Sequence, residues 1–149
     1  VIAMLKDGDI VVYDRYVPSS LAFFTVEATI PQTVNTDRPK IHREIENVEY
    51  VQNKMPRENV SIFLDVPPLV SADLLDHRQK TVGYNAEYTD HVHVQERLYN
   101  EYDLLCSTKP EHFIRIKCVE GDELLDKASV GELVWEAMLL KFPQLHHHP

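Results

Sequence analysis

The sequence is poor in three features that define whole classes of protein: cysteine, long apolar runs and basic residues. Two cysteines, Cys106 and Cys118, are too few for a secreted disulfide framework, so we expect buried thiols and a cytoplasmic protein, or a virion protein if it is viral. No run of about eighteen apolar residues occurs, so no membrane span is expected. The formal net charge of -9 argues against binding to nucleic-acid phosphates.

Signatures of catalysis and of modular organisation are also missing. The chain has no phosphate-binding loop, dinucleotide-binding fingerprint, nucleophile elbow or zinc-finger spacing. It has no internal repeat, and its prolines and glycines are dispersed rather than gathered in a linker. Its 149 residues, 44% of them hydrophobic, are enough to bury a core without disulfides or metals. We therefore predict a single globular domain over residues 1–149.

The last third of the chain carries the clearest local pattern. Apolar and charged side chains alternate along His112–Val119, which predicts a strand with one face toward the core and one toward water. Gly121 supplies a turn after it, because glycine accepts positive φ. A helix is then predicted from Ser129, whose spacing to Glu132 is that of a capping box, and Pro143 ends it.

This helix carries more apolar surface than one packing contact needs. One stripe has helical spacing and is predicted to face the core: Val130, Leu133, Val134, Ala137 and Met138. A second stripe beside it contains Trp135, Leu139 and Phe142. Since one sheet contact covers a stripe of roughly 100°, we predict that the second stripe is an interface. The alternative is that another segment of the chain folds over it.

Strand patterns also occur along the rest of the chain. They predict strands at 10–13, 22–30, 45–52, 60–66, 84–94 and 112–119. A short helix is predicted over Ala72–Gln79, capped by Ser71. The expected fold is therefore α+β: an antiparallel sheet or flattened barrel of about six strands, with the C-terminal helix packed on one face.

Segment 84–106 fits two patterns. A strand would place three residues on its inner face: Tyr88, Val92 and Val94. A helix would align four: Val94, Leu98, Tyr102 and Leu105. We favour a strand through Val94, followed by a turn of helix or an irregular segment.

His91-Val92-His93 is the strongest candidate for a chemical site. Residues two apart on a strand project to the same side, so the imidazoles of His91 and His93 could chelate one divalent metal ion. The pair resembles the paired histidines of cupins, but that family's flanking glycines, spaced glutamate and third histidine have no counterparts at the expected positions. On a helix, two residues apart differ by about 200° in direction, and the site would be lost.

These observations predict a non-enzymatic binding or assembly subunit: an adaptor, an oligomeric scaffold or a virion component. They consist of the missing catalytic signatures, the over-apolar helix and a middle region with four tyrosines between Tyr84 and Tyr102. We expect a protein partner or self-association, no nucleic acid, no membrane and no cofactor apart from that metal ion. The alternative is a metal-dependent enzyme or metal binder using His91 and His93. A third hypothesis is an acidic nucleic-acid mimic that inhibits a DNA-binding protein.

Overall fold

The computed structural model describes residues 2–29, 37–83 and 91–147. The chain divides into two compact units, Val1–Asn59 and Val60–Pro149. Helices make up most of the described residues, and the strands among them are four short ones in two small sheets. The predicted sheet or flattened barrel of about six antiparallel strands is therefore wrong, and the fold is helix-rich α+β. A single domain over the whole chain stays a prediction.

The regular structure described in the first unit is helical. It consists of α1 (Ile2–Lys6), α2 (Val17–Ala28) and α3 (Arg38–Glu46), which continues into a π-helical turn, Asn47–Gln52. Helix α2 supplies the core of this unit, because four of its buried residues recur at helical spacing: Leu21, Ala22, Thr25 and Val26.

Local signals explain where the helices of the first unit begin. Pro18 lies in the first turn of α2, where its fixed φ suits a helix and its missing N–H costs nothing. Asp37 caps α3, since its Oδ1 accepts a hydrogen bond from the Lys40 amide at 3.0 Å. Helix α3 packs on α2, where His42 Nε2 lies 3.2 Å from Oγ1 of the buried Thr25.

The three strands predicted in this unit are wrong. Residues 10–13 have no regular structure, and residues 45–52 are helical. Residues 22–28 belong to α2, while residue 30 lies outside the described residues. The physical reason for the error in α2 is that Phe24, Val26 and Ala28 alternate with polar residues, whereas the residues that are buried recur at helical spacing. Burial of one helical face outweighs the modest preference of the β-branched and aromatic residues for strands.

The second unit is built on a pair of parallel strands. Its elements, in chain order, are β1 (Ser61–Asp65), α4 (Pro68–Val82), α5 (Val92–Thr108), β2 (Phe113–Lys117), β3 (Val119–Glu120), β4 (Glu123–Leu124), α6 (Lys127–Lys141) and a 3-10 turn (Pro143–His147). Strand β1 pairs with β2 in parallel, whereas β3 and β4 form a small antiparallel hairpin. Parallel strands need a long crossover connection, which α4 and α5 provide.

The two faces of the parallel pair are distinct. Phe63 lies opposite Arg115 in the register, and Ile62 and Leu64 lie opposite Ile114 and Ile116 on the other face. Helix α5 covers the Phe63 face: the Phe63 ring stacks on Tyr102 at 5.3 Å between centroids and contacts Tyr99 at 6.0 Å. The core of this unit includes buried side chains of α5 and of the segment from β2 to β3: Val94, Leu105, Ile116, Cys118 and Val119.

Several elements predicted in the second unit are present, but their observed bounds are shorter or longer than predicted. The strands predicted at 60–66 and 112–119 correspond to β1 and β2, and Gly121 turns the chain with φ 62°. The helix predicted over Ala72–Gln79 extends to the whole of α4, which Gly83 ends in the left-handed conformation at φ 68°.

For segment 84–106, the helical alternative is correct over the residues that the structure describes. Residues 92–106 belong to α5, so a strand through Val94 is wrong, and residues 84–90 lie outside the described residues. Val94 and Leu105, which the helical alignment placed on one face, are both buried. The alternation that favoured a strand ends within the first turn of α5, where the helical spacing takes over.

The predicted C-terminal helix is present as α6, but its N-cap lies three residues earlier than the capping box indicated. The residue at its N-terminus that caps it is Asp126, whose Oδ1 accepts hydrogen bonds from the amides of Ala128 at 2.8 Å and Ser129 at 3.1 Å. Ser129 instead donates its hydroxyl to Asp126 Oδ2 at 2.7 Å. These hydrogen bonds, chiefly those with Ser129, lower the pKa of Asp126.

We predict that Asp126→Ala destabilises the chain more than Ser129→Ala, because only the first change removes the acceptor of both amide hydrogen bonds. Since the folded pKa is lowered, the charge-dependent part of this stabilisation is present above the unfolded pKa of about 3.9 and is lost as the pH falls through the lower folded value. Melting temperatures measured from pH 2 to 6 should show this loss in the parent and not in Asp126→Asn. Equal melting temperatures for Asp126→Ala and Ser129→Ala would contradict the assignment of the cap.

Candidate binding surface

A cluster of charged side chains lies on the α5 side of the parallel pair. Arg115 Nε donates to Asp65 Oδ2 at 2.8 Å, and Arg115 Nη1 lies 2.6 Å from Asp103 Oδ1. Arg115 Nη2 donates to the Tyr99 hydroxyl at 3.3 Å. We call these four residues the Arg115 cluster. It joins β1, β2 and α5 through a single guanidinium group.

The Arg115 cluster is better suited to holding these elements together than to binding a ligand. The guanidinium of Arg115 already faces two carboxylates, so its charge is not available to an anionic ligand. The other oxygen of Asp65, Oδ1, is buried and accepts no hydrogen bond from the described residues. Loss of Arg115 would therefore leave a largely buried carboxylate without its cation.

We predict that Arg115→Ala lowers the free energy of unfolding by about 2 kcal/mol, because it strands the buried Asp65 carboxylate. Asp103→Ala should cost less than about 1 kcal/mol, since Asp103 is half-exposed and its loss leaves the Arg115–Asp65 pair intact. Urea unfolding measures both values, with Lys117→Ala on the exposed part of β2 as the control. Equal effects of the Arg115 and Asp103 changes would contradict this role for Arg115.

Neither cysteine is placed to act as a nucleophile. Cys106 and Cys118 are both buried, free thiols, as the sequence predicted. Burial raises the pKa of Cys106 and of Cys118. Both side chains are therefore protonated at neutral pH, whereas nucleophilic attack requires the thiolate.

The predicted metal pair lies at the N-terminus of α5. His91 precedes the helix with an extended backbone, and His93 is in the first turn; both are exposed. Their rings do not diverge as two helical residues would, but stack at 5.8 Å between centroids with an 18° angle between planes. No group of three metal-ligating side chains occurs among residues 2–29, 37–83 and 91–147. The positive end of the helix dipole also opposes a cation here. Metal binding by His91 and His93 stays a prediction.

The predicted interface stripe on α6 is divided between exposed and half-buried residues. Trp135 is 51% exposed, whereas Leu139 and Phe142 are half-buried. The predicted inner stripe faces inward with one exception, Leu133, and none of its members is fully buried. Leu133 and Leu140 form a further exposed apolar flank, on the other side of the inner stripe from Trp135. The apolar excess of this helix therefore lies on both of its flanks.

The apolar face of the parallel pair is buried more deeply on β2 than on β1. Helix α6 contacts β2, and Ile116 on this face of β2 is 5% exposed. Ile62 and Leu64 occupy the same face on β1 and remain 38% and 49% exposed. We call Ile62 and Leu64 the β1 face. Parallel sheets are normally covered on both faces, so it is unusual for the apolar side chains of a parallel strand to be this exposed.

The sequence predicts Ile62 and Leu64 in a strand, but it predicts neither the β1 face nor the Arg115 cluster. The predicted sheet is antiparallel, and in it the neighbours of β1 would be different. Asp65 and Arg115 lie 50 residues apart and meet only through the parallel register. The signal that was available is the continuous apolar run Ile62-Phe63-Leu64, which is typical of a strand buried on both faces.

No helix in the described part of the chain is both long and apolar enough to cross a lipid bilayer. Comparison with protein-family models, with curated proteins and with solved structures finds no match for this chain. Its function therefore has to be argued from its own surface.

Proposed function

We propose that this chain is a binding or assembly subunit that contacts a protein through the second unit, as an adaptor, a scaffold or a virion component does. The observation that carries the proposal is the β1 face: Ile62 and Leu64 lie exposed on a parallel strand whose neighbour is covered. Full burial of such a side chain contributes about 1.5–3 kcal/mol, so covering what remains exposed of each would contribute about 1 kcal/mol.

Two further features support association rather than catalysis. Among the described residues β1 pairs with β2 alone, and a two-stranded sheet is marginal without further packing. Trp135 and Leu140 on α6, the latter 84% exposed, add apolar surface in the same unit. Aromatic and large aliphatic residues exposed in this way are typical of protein interfaces.

We predict that the double change Ile62→Ser with Leu64→Ser removes association while the chain stays folded, because both side chains are already partly exposed. Association is measured as sedimentation of the purified chain over a concentration series, and as retention of proteins from a cell extract. The control is Leu69→Ser on α4, which removes an apolar side chain that is 72% exposed outside the β1 face. Association retained by the double variant, or none by the parent in either assay, would contradict the proposal.

Metal binding is the second candidate function, and the stacking of the His91 and His93 rings is the observation that favours it. It predicts stoichiometric binding of Zn²⁺ or Ni²⁺ by a chain in which His146, His147 and His148 have been changed to serine. The double change His91→Ala with His93→Ala should abolish that binding. Calorimetry measures it, and unchanged binding by the double variant would exclude the pair.

A further inference from the structure

Among the described residues, no strand lies beside one edge of β1. Toward β2, the Ser61 amide donates to the His112 carbonyl at 2.9 Å, and the Asp65 carbonyl accepts from the Cys118 amide at 3.0 Å. Alternate residues of a strand direct their backbone groups to opposite edges. Phe63 therefore also faces β2, and Ile62 and Leu64 direct their N–H and C=O groups to the other edge. Within the described residues, the sheet ends there.

The other edge of the sheet, on β2, is better protected against pairing. The residues whose backbone groups point outward from β2 are Phe113, Arg115 and Lys117, and two of these three carry a positive charge. Charged side chains on an edge strand discourage the addition of another strand. The stretch from Ser61 to Leu64 contains neither a charge nor a proline, so the β1 edge lacks this protection.

We propose that the β1 edge binds an extended segment of a partner protein as an additional β-strand. This inference rests on the proposed function and specifies how the partner is held. The incoming strand would take the backbone hydrogen bonds of Ile62 and Leu64, and on one face it would lie beside their exposed side chains. Its own residues on that face must therefore be apolar.

The strand geometry also limits the length of the incoming segment. β1 spans five residues, Ser61–Asp65, and helix α4 begins at Pro68, so the extended edge ends before this helix. An incoming strand of about five residues matches the edge.

Charge favours a foreign strand over a second copy of this chain. The formal net charge of -9 means that two copies repel each other, whereas a segment flanked by lysine or arginine is attracted. The occupant is therefore an apolar strand with basic flanks, supplied by a different protein.

The experiment uses the full chain and a synthetic peptide, acetyl-Lys-Val-Ile-Val-Ile-Val-Lys-amide, with amide hydrogen exchange read by NMR. Without peptide, the amides of Phe63 and Asp65 should be protected, and those of Ile62 and Leu64 should exchange rapidly. At a free peptide concentration ten times its Kd, exchange at Ile62 and Leu64 should slow about elevenfold, because only the unbound fraction exchanges.

Two variants test whether the edge itself is the site. Leu64→Pro removes an outward donor but none of the β1–β2 hydrogen bonds, so the peptide affinity should fall at least about tenfold while Phe63 stays protected. If that variant does not fold, Leu64→Lys places a charge on the edge and should have the same effect. Leu69→Lys, at an exposed site on α4, is the matched control and should bind like the parent.

Three outcomes of the peptide experiments would overturn the proposal: no peptide binding at millimolar concentration, equal affinity in the Leu64 variants, or protection that avoids Ile62 and Leu64. Protection that instead rises with the concentration of the chain alone would identify a second copy as the occupant, against the proposal. Each of these results is compatible with association through the β1 face, which the double change Ile62→Ser with Leu64→Ser would still remove. The proposed function can therefore survive the failure of the strand addition, and it fails only in its own assay.

Discussion

The parallel pairing of β1 with β2 is the constraint on which the second unit depends. Parallel strands cannot be joined by a tight turn, so the chain between them must cross over, and α4 and α5 form that crossover. Helix α5 then covers the face that carries Phe63, and α6, which follows β2, contacts that strand. Ile62 and Leu64 remain 38% and 49% exposed, so the apolar excess of the unit includes β1.

The Arg115 cluster connects this pairing to the helical layer. Asp65 is the last residue of β1, Arg115 is central in β2, and Asp103 belongs to α5. One guanidinium group therefore joins β1 to α5 and β2, although Asp65 and Arg115 lie 50 residues apart in sequence. A cluster of this kind specifies one arrangement of strand and helix, because any other would leave charges partly buried and unpaired. It leaves the open edge and the exposed face of β1 as the features of this sheet that can serve association.

Local signals in the sequence were sufficient to predict some elements. The strand at 112–119 and helix α6 could be predicted because alternation, a turn and helical spacing agree in that region. The helix α2 was missed because its residues fit two periods, and only the tertiary burial of one face decides between them. The predicted N-cap is Ser129, whereas the observed one is Asp126. Both residue types are good caps, and the spacing from Ser129 to Glu132 favoured Ser129.

The candidate surface could be predicted only in part, for a different physical reason. Trp135 was identified as exposed surface from the helix alone, because amphipathic spacing is a local property. The β1 face depends on which strand lies beside β1 and which helix lies over it, and both are long-range choices. The sequence of an apolar strand does not show whether its faces are covered by its own chain or by a partner.

The solvent exposure of four methyl-bearing side chains in the free chain is the most direct test of the β1 face. A soluble paramagnetic gadolinium chelate relaxes the methyl protons that it can approach, and NMR measures this residue by residue. We predict strong relaxation at Ile62 and Leu64, weak relaxation at Ile116, and an intermediate effect at Ile114. Relaxation at Ile62 and Leu64 as weak as that at Ile116 would show that the β1 face is already covered, and would contradict its role in association.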